Sequence, residues 1–192
     1  MEQGRITEYG KLNDVQKEEA VEIFIEGFGH LMTFTKDKEI LKSLFLTTFH
    51  PSYVLAYVEA EQVLGILGIA TNQIRPIKFE MDICIKLLGK YKGTLICKQM
   101  NAIFQSQAVK EDTDLYIDVL ATSKAARGKG VATKLLNYSF NLQNYENYYI
   151  EVLSKNVNAK RLYEKIGFAV YKKSYFSALS LMGFGYPIKM KK

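Results

Sequence analysis

The sequence is poor in cysteine and histidine, the residues that most often build structural metal sites: its 192 residues include two of each. Cys84 and Cys97 have no histidine or further cysteine at metal-ligand spacing, so we expect both to be buried, reduced thiols. His30 and His50 lie far apart in the sequence, and position alone gives neither of them a catalytic role. The sequence therefore implies no metal site.

Long apolar runs are also missing. The most apolar window, residues 53–70, is interrupted by Glu59 and Glu61, and no stretch reaches the roughly 18 apolar residues of a membrane-spanning helix. The N-terminal sequence MEQGRITEYGKL lacks the apolar core of a signal peptide. We therefore expect a protein with no membrane partner and, by default, a cytoplasmic location.

Positive charge is in excess, with a formal net charge of +6, but it is not concentrated. The tight cluster Lys189, Lys191 and Lys192 lies in the C-terminal tail, and the sequence contains no basic stripe or recognition motif. We therefore expect no nucleic-acid partner and attribute local positive charge to a polyanionic cofactor. Four cations are candidates to face its phosphates, with a solvated helix surface as the alternative for each: Lys129, Lys134, Lys160 and Arg161.

Composition and periodicity predict one α/β domain over residues 1–192. Hydrophobic residues make up 48% and charged residues 24% of the chain, as in ordinary globular domains. Two strands, Tyr53–Glu59 and Gln62–Ala70, are predicted to form a hairpin at the centre of the sheet. From residue 115 the predicted order is β-α-β-α-β, which with the hairpin gives a mixed central sheet of about six to seven strands flanked by helices.

The remaining elements follow from apolar spacing and from the positions of glycine and proline. Gly89 and Gly93 are expected to separate two helices. In the strand at residues 115–121, alternation predicts that Leu115, Ile117 and Val119 share one face, opposite Tyr116 and Asp118. Helices are predicted at 13–29, 36–47, 81–90, 94–107, 131–142 and 158–166, and further strands at 5–9, 115–121, 148–153, 168–175 and 184–190.

The most informative segment is residues 115–137, LYIDVLATSKAARGKGVATKLLN. An apolar strand leads through a basic, glycine-containing turn directly into an amphipathic helix that begins near Val131. Gly128 and Gly130 allow the backbone to approach a ligand closely. The first amides of the helix have no intrahelical partners, and the positive end of the helix dipole lies there. The segment therefore predicts a binding site for a phosphate or pyrophosphate.

Two families of phosphate-binding loop do not fit this segment. A P-loop requires a glycine five residues before the Gly128–Lys129 pair, where this chain has Ser123. The dinucleotide pattern GxGxxG places Thr133 at its third glycine. That pattern also opens a larger parallel domain than the remainder of this chain can form.

A third loop pattern fits: Arg or Gln, two residues, Gly, one residue, then Gly or Ala, which Arg127, Gly130 and Ala132 fill. A second block, residues 156–168 with the sequence NVNAKRLYEKIGF, follows one predicted helix and one predicted strand later. With both blocks in this order, the chain resembles the GNAT superfamily of acetyl-CoA-dependent N-acetyltransferases. The resemblance implies acetyl-CoA as cosubstrate and transfer to a primary amine by direct attack in a ternary complex.

The resemblance also implies which residues hold the cofactor, within a core of about residues 115–171. The loop would bind the pyrophosphate of CoA, and the end of the preceding strand would pair with the pantetheine arm like an added strand. The implied contacts are Leu120, Ala121, Thr122, Arg127, Gly128, Lys129, Gly130, Val131, Ala132, Thr133, Asn156, Ala159 and Tyr163.

One departure from the family pattern lies at the loop entrance. Where the family often has Val, one residue and Pro, this chain has Thr122, Ser123 and Lys124. Without proline the approach to the loop is less restrained. Lys124 is then a further candidate cation near the phosphates.

For the chemistry, the resemblance implies that Tyr163 is the general acid to the CoA sulfur, with core packing as the alternative. Asp118 and Glu151 are candidate bases on neighbouring predicted strands, with structural pairing or a water molecule as alternatives. The backbone amide near Leu120 is the implied oxyanion donor. A non-catalytic CoA- or acyl-CoA-binding regulatory module is the alternative function.

The acceptor is left open as a small-molecule or peptide amine. Residues 75–112 are expected on the acceptor side, where their Met, Phe and Tyr side chains line either a pocket or the core. The C-terminal strand is expected to be exposed and is a candidate to pair across a homodimer. Five acidic residues that flank the middle segment would suit a polycationic acceptor, with solvated charges at element ends as the alternative: Glu80, Asp82, Glu111, Asp112 and Asp114.

Overall fold

The computed structural model of the protein describes residues 4–142 and 145–192. Within them, seven strands form one mixed sheet in the order β1-β2-β3-β4-β5-β7-β6. The strands are β1 (Arg5–Glu8), β2 (Val54–Glu59), β3 (Gln62–Ala70), β4 (Asp114–Thr122), β5 (Asn147–Leu153), β6 (Ala169–Lys173) and β7 (Pro187–Lys191). The helices are α1 (Asp14–Phe28), α2 (Lys38–Thr48), α3 (Met81–Leu88), α4 (Lys90–Phe104), α5 (Val131–Phe140), α6 (Val157–Ile166) and α7 (Ala178–Leu181). The predicted α/β fold and strand number are confirmed.

The sheet separates two hydrophobic cores. Alternating residues of β2 point to opposite sides, so that Val54 and Ala56 join one core while Leu55 and Tyr57 join the other. Side chains of α1, α2, α3 and α4 complete the first core, and those of α5 and α6 complete the second. Each face of the sheet is therefore covered by helices.

The hairpin turn is confirmed, but its place in the sheet is not. Ala60 and Glu61 adopt left-handed φ values of 48° and 60°, which suit the tight two-residue connection between β2 and β3. The predicted central position is wrong, because β4 is the middle strand. Three strands from the C-terminal half extend the sheet on the far side of β4.

A bulge on β4 overturns the predicted alternation of its side chains. Gly68 pairs with Val119 while Ile69 pairs with Ile117, so Asp118 is an extra residue on β4. Beyond the bulge the faces exchange: Leu115 and Ile117 pack in the second core, whereas Val119 packs in the first. Bulges of this kind re-aim a side chain within a sheet.

The C-terminal strand lies inside the sheet, which contradicts the expectation of an exposed tail edge. β7 pairs with β5 on one side and with β6 on the other, both antiparallel. The edges are instead β1 and β6. This insertion could not be predicted from the order of the elements, because β6 precedes β7 in the chain but takes the outer position.

Two further details differ from the sequence-based expectations. Gly93 lies within α4 rather than ending a helix, and a Cβ there would come within 2.4 Å of the Cys84 carbonyl oxygen, so glycine permits close packing of α3 against α4. Helix α7 was not predicted.

Cys84 and Cys97 are both buried and unpaired, as expected. Among the described residues, no helix is long and apolar enough to cross a membrane.

Candidate functional site

The sheet opens between its parallel pair of strands. β4 and β5 pair from Asp114 with Asn147 to Ile117 with Ile150, and their pairing ends there. β4 continues to Thr122 against β3, while β5 continues to Leu153 against β7. The bulge at Asp118 lies where the separation begins. One edge of β4 is therefore left without a partner strand next to two adjoining cavities.

We call the first of these the carboxylate cavity, because Asp118 and Glu151 line it. It measures about 570 Å³ and lies between the diverging ends of β4 and β5. The end of α1 and the segment that carries α7 form its other walls. Phe104 is the residue of the predicted acceptor-side segment 75–112 that reaches it.

The second, the loop cavity, measures about 620 Å³ and includes Arg127 and Gly128. It shares Leu120, Asn156 and Tyr163 with the carboxylate cavity, so the two spaces meet. Nine predicted cofactor contacts line it, while Lys129, Gly130, Val131 and Thr133 are not part of its described lining. The nine are Leu120, Ala121, Thr122, Arg127, Gly128, Ala132, Asn156, Ala159 and Tyr163.

The loop has the backbone geometry of an anion-binding turn. Gly128 and Gly130 have φ values of 76° and 79°, in the left-handed region that glycine adopts without strain. A Cβ at either position would meet open space. Gly130 caps α5 and carries no side chain to satisfy the first amides of that helix. These amides are thus available to a pyrophosphate.

The residues before the loop also fit a bound cofactor. Ser123 follows the unpaired edge of β4, and its hydroxyl is buried with no hydrogen-bond partner among the described residues. A buried hydroxyl of this kind normally has a partner. The edge, the hydroxyl and the free helix amides together suit an extended, polar ligand that ends in phosphate groups.

Tyr163 lies where the two cavities meet and is only 6% exposed. Helix α6 holds it there, starting at the Asn156 cap, whose side-chain oxygen accepts a hydrogen bond from the Ala159 amide at 3.2 Å. The ring packs near Phe168, with ring centroids 6.1 Å apart. Burial raises the pKa of the Tyr163 hydroxyl well above its usual value, so the phenol keeps its proton at neutral pH.

Asp118 forms a salt bridge with Arg75, a residue that the sequence did not single out. The Arg75 Nη2 atom donates to both carboxylate oxygens, at 3.0 and 2.9 Å, and Nε donates at 3.2 Å. Arg75 also donates to the Ser106 carbonyl and lies 5.9 Å from the Tyr116 ring centroid. Burial raises the pKa of Asp118, and the guanidinium partly counters that rise.

Glu151 has a weaker ion pair than Asp118. Its nearest cation is Lys189, with 4.0 Å between the Lys189 Nζ and Glu151 Oε2 atoms. Burial raises the pKa of Glu151, Lys189 lowers it, and the nearby Asp118 charge raises it further. A carboxyl whose pKa is shifted toward neutrality is better suited to exchange protons near pH 7.

Three of the candidate cations contact other side chains of the protein. Lys134 donates to the Tyr57 hydroxyl at 2.6 Å and lies 4.7 Å from that ring's centroid. Lys160 pairs with Glu164. Lys124 lies 3.3 Å from Glu26, which lines the loop cavity, so it offsets a carboxylate there. Arg127 is exposed and borders the cavity.

Sequence reasoning missed two residues besides Arg75. His30 lines both cavities from the segment after α1, and Phe184 lines the carboxylate cavity from the segment before β7. Their rings meet edge to face with centroids 5.6 Å apart. These contacts join distant parts of the chain, so no local pattern marks them. Among the described residues, no group of His, Cys, Asp and Glu is arranged to hold a metal ion.

The sequence and the fold were both compared with those of known proteins. Residues 91–170 match the model of the acetyltransferase (GNAT) domain. No curated protein matches the chain. Among solved structures, an N-acetyltransferase from Staphylococcus aureus Mu50 is similar over 98% of this chain and 100% of its own, with 16% identity and a TM-score of 0.65. A GCN5-related N-acetyltransferase from Kribbella flavida shares 15% identity over 98% of this chain and 96% of its own, with a TM-score of 0.61.

A third structure, of histone acetyltransferase HPA2 and related acetyltransferase from Corynebacterium glutamicum, is similar over 100% of this chain and 96% of its own, with 18% identity and a TM-score of 0.61. At these identities the structures show the shared fold. The fold and the segment match agree on one class of protein, the acyltransferases. Within that class, residues 91–170 of the chain match the GNAT acetyltransferase domain, a family that uses acetyl-CoA.

Proposed function

We propose that the protein transfers the acetyl group of acetyl-CoA directly to a primary amine while both substrates are bound. The observation that carries this proposal is the position of Tyr163, a buried proton donor where the loop cavity and the carboxylate cavity meet. The whole chain acts as one acetyltransferase domain. Its cofactor-binding core is residues 115–171, and residues 75–112 contribute to the acceptor side through Arg75 and Phe104.

The cofactor lies along the unpaired edge of β4 in this proposal. Its pyrophosphate binds the amides at the start of α5 with Arg127 alongside, which places a negative group at the positive end of the helix dipole. The pantetheine arm pairs with Leu120–Thr122. The thioester then reaches the junction of the cavities, where the amide near Leu120 donates to the developing oxyanion.

Transfer needs two proton movements within the protein. The acceptor reaches the carbonyl as a free amine, having lost one proton to solvent. Its nitrogen forms the new C–N bond and gives a second proton to Glu151. The C–S bond breaks with its electron pair on sulfur, which takes the Tyr163 proton, and solvent restores both side chains. One proton is released overall.

Glu151 is proposed as the base in preference to Asp118 because the two carboxylates are paired differently. Asp118 accepts from two nitrogens of Arg75 at 3.2 Å or less. The described cation nearest to Glu151 is Lys189, at 4.0 Å. Protonation of Glu151 therefore disrupts a weaker ion pair than protonation of Asp118 would. This supports the structural role for Asp118 that the sequence left open.

Calorimetric titration of acetyl-CoA tests the cofactor site. Arg127→Glu replaces a cation beside the loop with an anion, so we expect it to weaken acetyl-CoA binding by about 100-fold. The matched control is Lys86→Glu, which makes the same charge change at an exposed position on α3 outside both cavities. It should leave the affinity unchanged. Equal weakening in both variants, or no binding to the unaltered protein, would contradict the proposal.

A further inference from the structure

We propose that the acceptor is a monoamine with an apolar, ring-containing body, and not a polyamine or an aminoglycoside. This inference rests on the proposed acetyltransferase function and concerns the same site. It follows from the walls of the carboxylate cavity, which are largely apolar, and from the charges of its few polar side chains.

Apolar side chains reach the carboxylate cavity from three separate parts of the fold. Phe28 and Met32 come from the end of α1 and the segment after it, and Phe104 comes from the end of α4. Leu179 and Phe184 come from the segment between β6 and β7. Ligand sites of this kind bind apolar surface over most of their area and orient the ligand with a few polar groups. The walls thus suit a ring rather than a hydrated, multiply charged chain.

The charges in the cavity leave room for one ammonium group at most. Asp118 is already neutralised by Arg75, whose side chain is as buried as its own, at 11% and 10% exposed. Among the described lining residues, Glu151 is the remaining carboxylate, and Lys155 adds a cation. A substrate with several ammonium groups would place charge against phenyl and thioether walls without a partner, which is strongly unfavourable.

The acidic residues that suggested a polycationic acceptor do not lie in this site. Lys78 pairs with Glu80 at 3.1 Å, Asn72 donates to Asp112 at 2.5 Å, and Asn147 donates to Asp114 at 2.9 Å. None of the five residues Glu80, Asp82, Glu111, Asp112 and Asp114 is part of the described lining of either cavity. Their place outside the described lining supports the alternative to an acidic acceptor pocket beside Glu151.

An amine panel tests the inference, with thiol release from acetyl-CoA as the readout. The probes are 2-phenylethylamine, propylamine, spermidine and kanamycin. We expect kcat/KM for 2-phenylethylamine to exceed that for each of the other three by about tenfold or more, as burial of a ring predicts. Faster turnover of spermidine or kanamycin would overturn the inference. So would acetyl-CoA binding with no turnover of 2-phenylethylamine.

Variants separate the ring pocket from the cofactor site. Phe184→Ala and Leu179→Ala should each raise KM for 2-phenylethylamine by about tenfold, change KM for propylamine by less than about threefold, and leave the acetyl-CoA Kd unaltered. The control is Phe176→Ala, because Phe176 is 97% exposed on the same segment and lines neither cavity. An unchanged preference for 2-phenylethylamine over propylamine in both wall variants would overturn the inference. Loss of acetyl-CoA binding in the unaltered protein would instead overturn the proposed function itself.

Discussion

Burial at Tyr163 has two consequences that oppose each other. Loss of solvent raises the pKa of the hydroxyl, which keeps the proton in place until it is needed but makes the phenol a weaker acid. The same dry surroundings also destabilise an expelled thiolate and so raise its proton affinity. In the proposed mechanism the pKa values of the phenol and the thiol therefore rise together, and the proton transfer between them stays favourable. At Asp118 the buried charge is stabilised in a different way, by the salt bridge with Arg75.

Arg75→Met removes that cation, and we expect it to lower the free energy of unfolding by about 3–5 kcal/mol near pH 7, because it leaves a buried carboxylate unpaired. Without Arg75 the pKa of Asp118 rises further above its unfolded value. A carboxyl with a raised folded pKa favours the fold below its unfolded pKa, and that contribution is lost as pH rises through the folded pKa. The deficit should therefore be larger at pH 8 than at pH 5 in urea denaturation.

Asp118→Asn supplies the control for this prediction. In the Arg75→Met background it removes the buried charge, so the pH-dependent part of the deficit should disappear. A deficit that is equal at pH 5 and pH 8, or one that Asp118→Asn does not relieve, would show that Arg75 stabilises the protein by packing alone.

At the scale of single elements, much of the fold could be predicted because its signals are local. The loop at Arg127, the start of α5 and the Tyr163 block each lie within a short stretch of sequence. The bulge at Asp118 could not be predicted, because it is defined by the register against β3. The Arg75–Asp118 pair spans 43 positions, and the sequence contains no pattern that would connect its partners.

Gly130→Ala tests the role of the turn before α5. The φ value of 79° is costly for alanine, so we expect a loss of about 1–2 kcal/mol in unfolding free energy. The new methyl group would also project beside the amides that are proposed to bind pyrophosphate, and acetyl-CoA affinity should fall. Gly167→Ala is the control, because Gly167 also has left-handed backbone, with φ 106° and ψ 10°, but follows α6 and lines neither cavity. A Cβ there would meet the Lys192 side chain no closer than 3.6 Å. Acetyl-CoA affinity that falls equally in both variants would contradict the role of the loop.

For the molecule as a whole, β7 connects the two halves of the fold. It inserts between β5 and β6, so residues from the extreme C-terminus help to hold the strand that carries Glu151. The sequence could not place β7 there, because strand order depends on contacts across the whole sheet. We infer that the two cores unfold as one cooperative unit, as expected for a single domain.

Met190→Ala tests this whole-molecule coupling. Met190 is fully buried in β7 and pairs with both Ile150 and Val170. Its truncation should lower the unfolding free energy by about 2–5 kcal/mol, while Met182→Ala at a half-exposed site should have little effect. Far-UV circular dichroism and tyrosine fluorescence should report one coincident transition. Two separate transitions would contradict the single-domain proposal.

The most direct test of acetyl transfer at the cavity junction compares the unaltered protein with Tyr163→Phe, measuring amine-dependent thiol release from acetyl-CoA together with the acetyl-CoA Kd. We predict that the unaltered protein turns over and that Tyr163→Phe lowers kcat by about 10²–10⁴-fold with the Kd unchanged, because it removes only the proton donor. Acetyl-CoA binding without thiol release across the amine panel would contradict the account and favour a CoA-binding regulatory module. An unchanged kcat in Tyr163→Phe would contradict the role given to Tyr163.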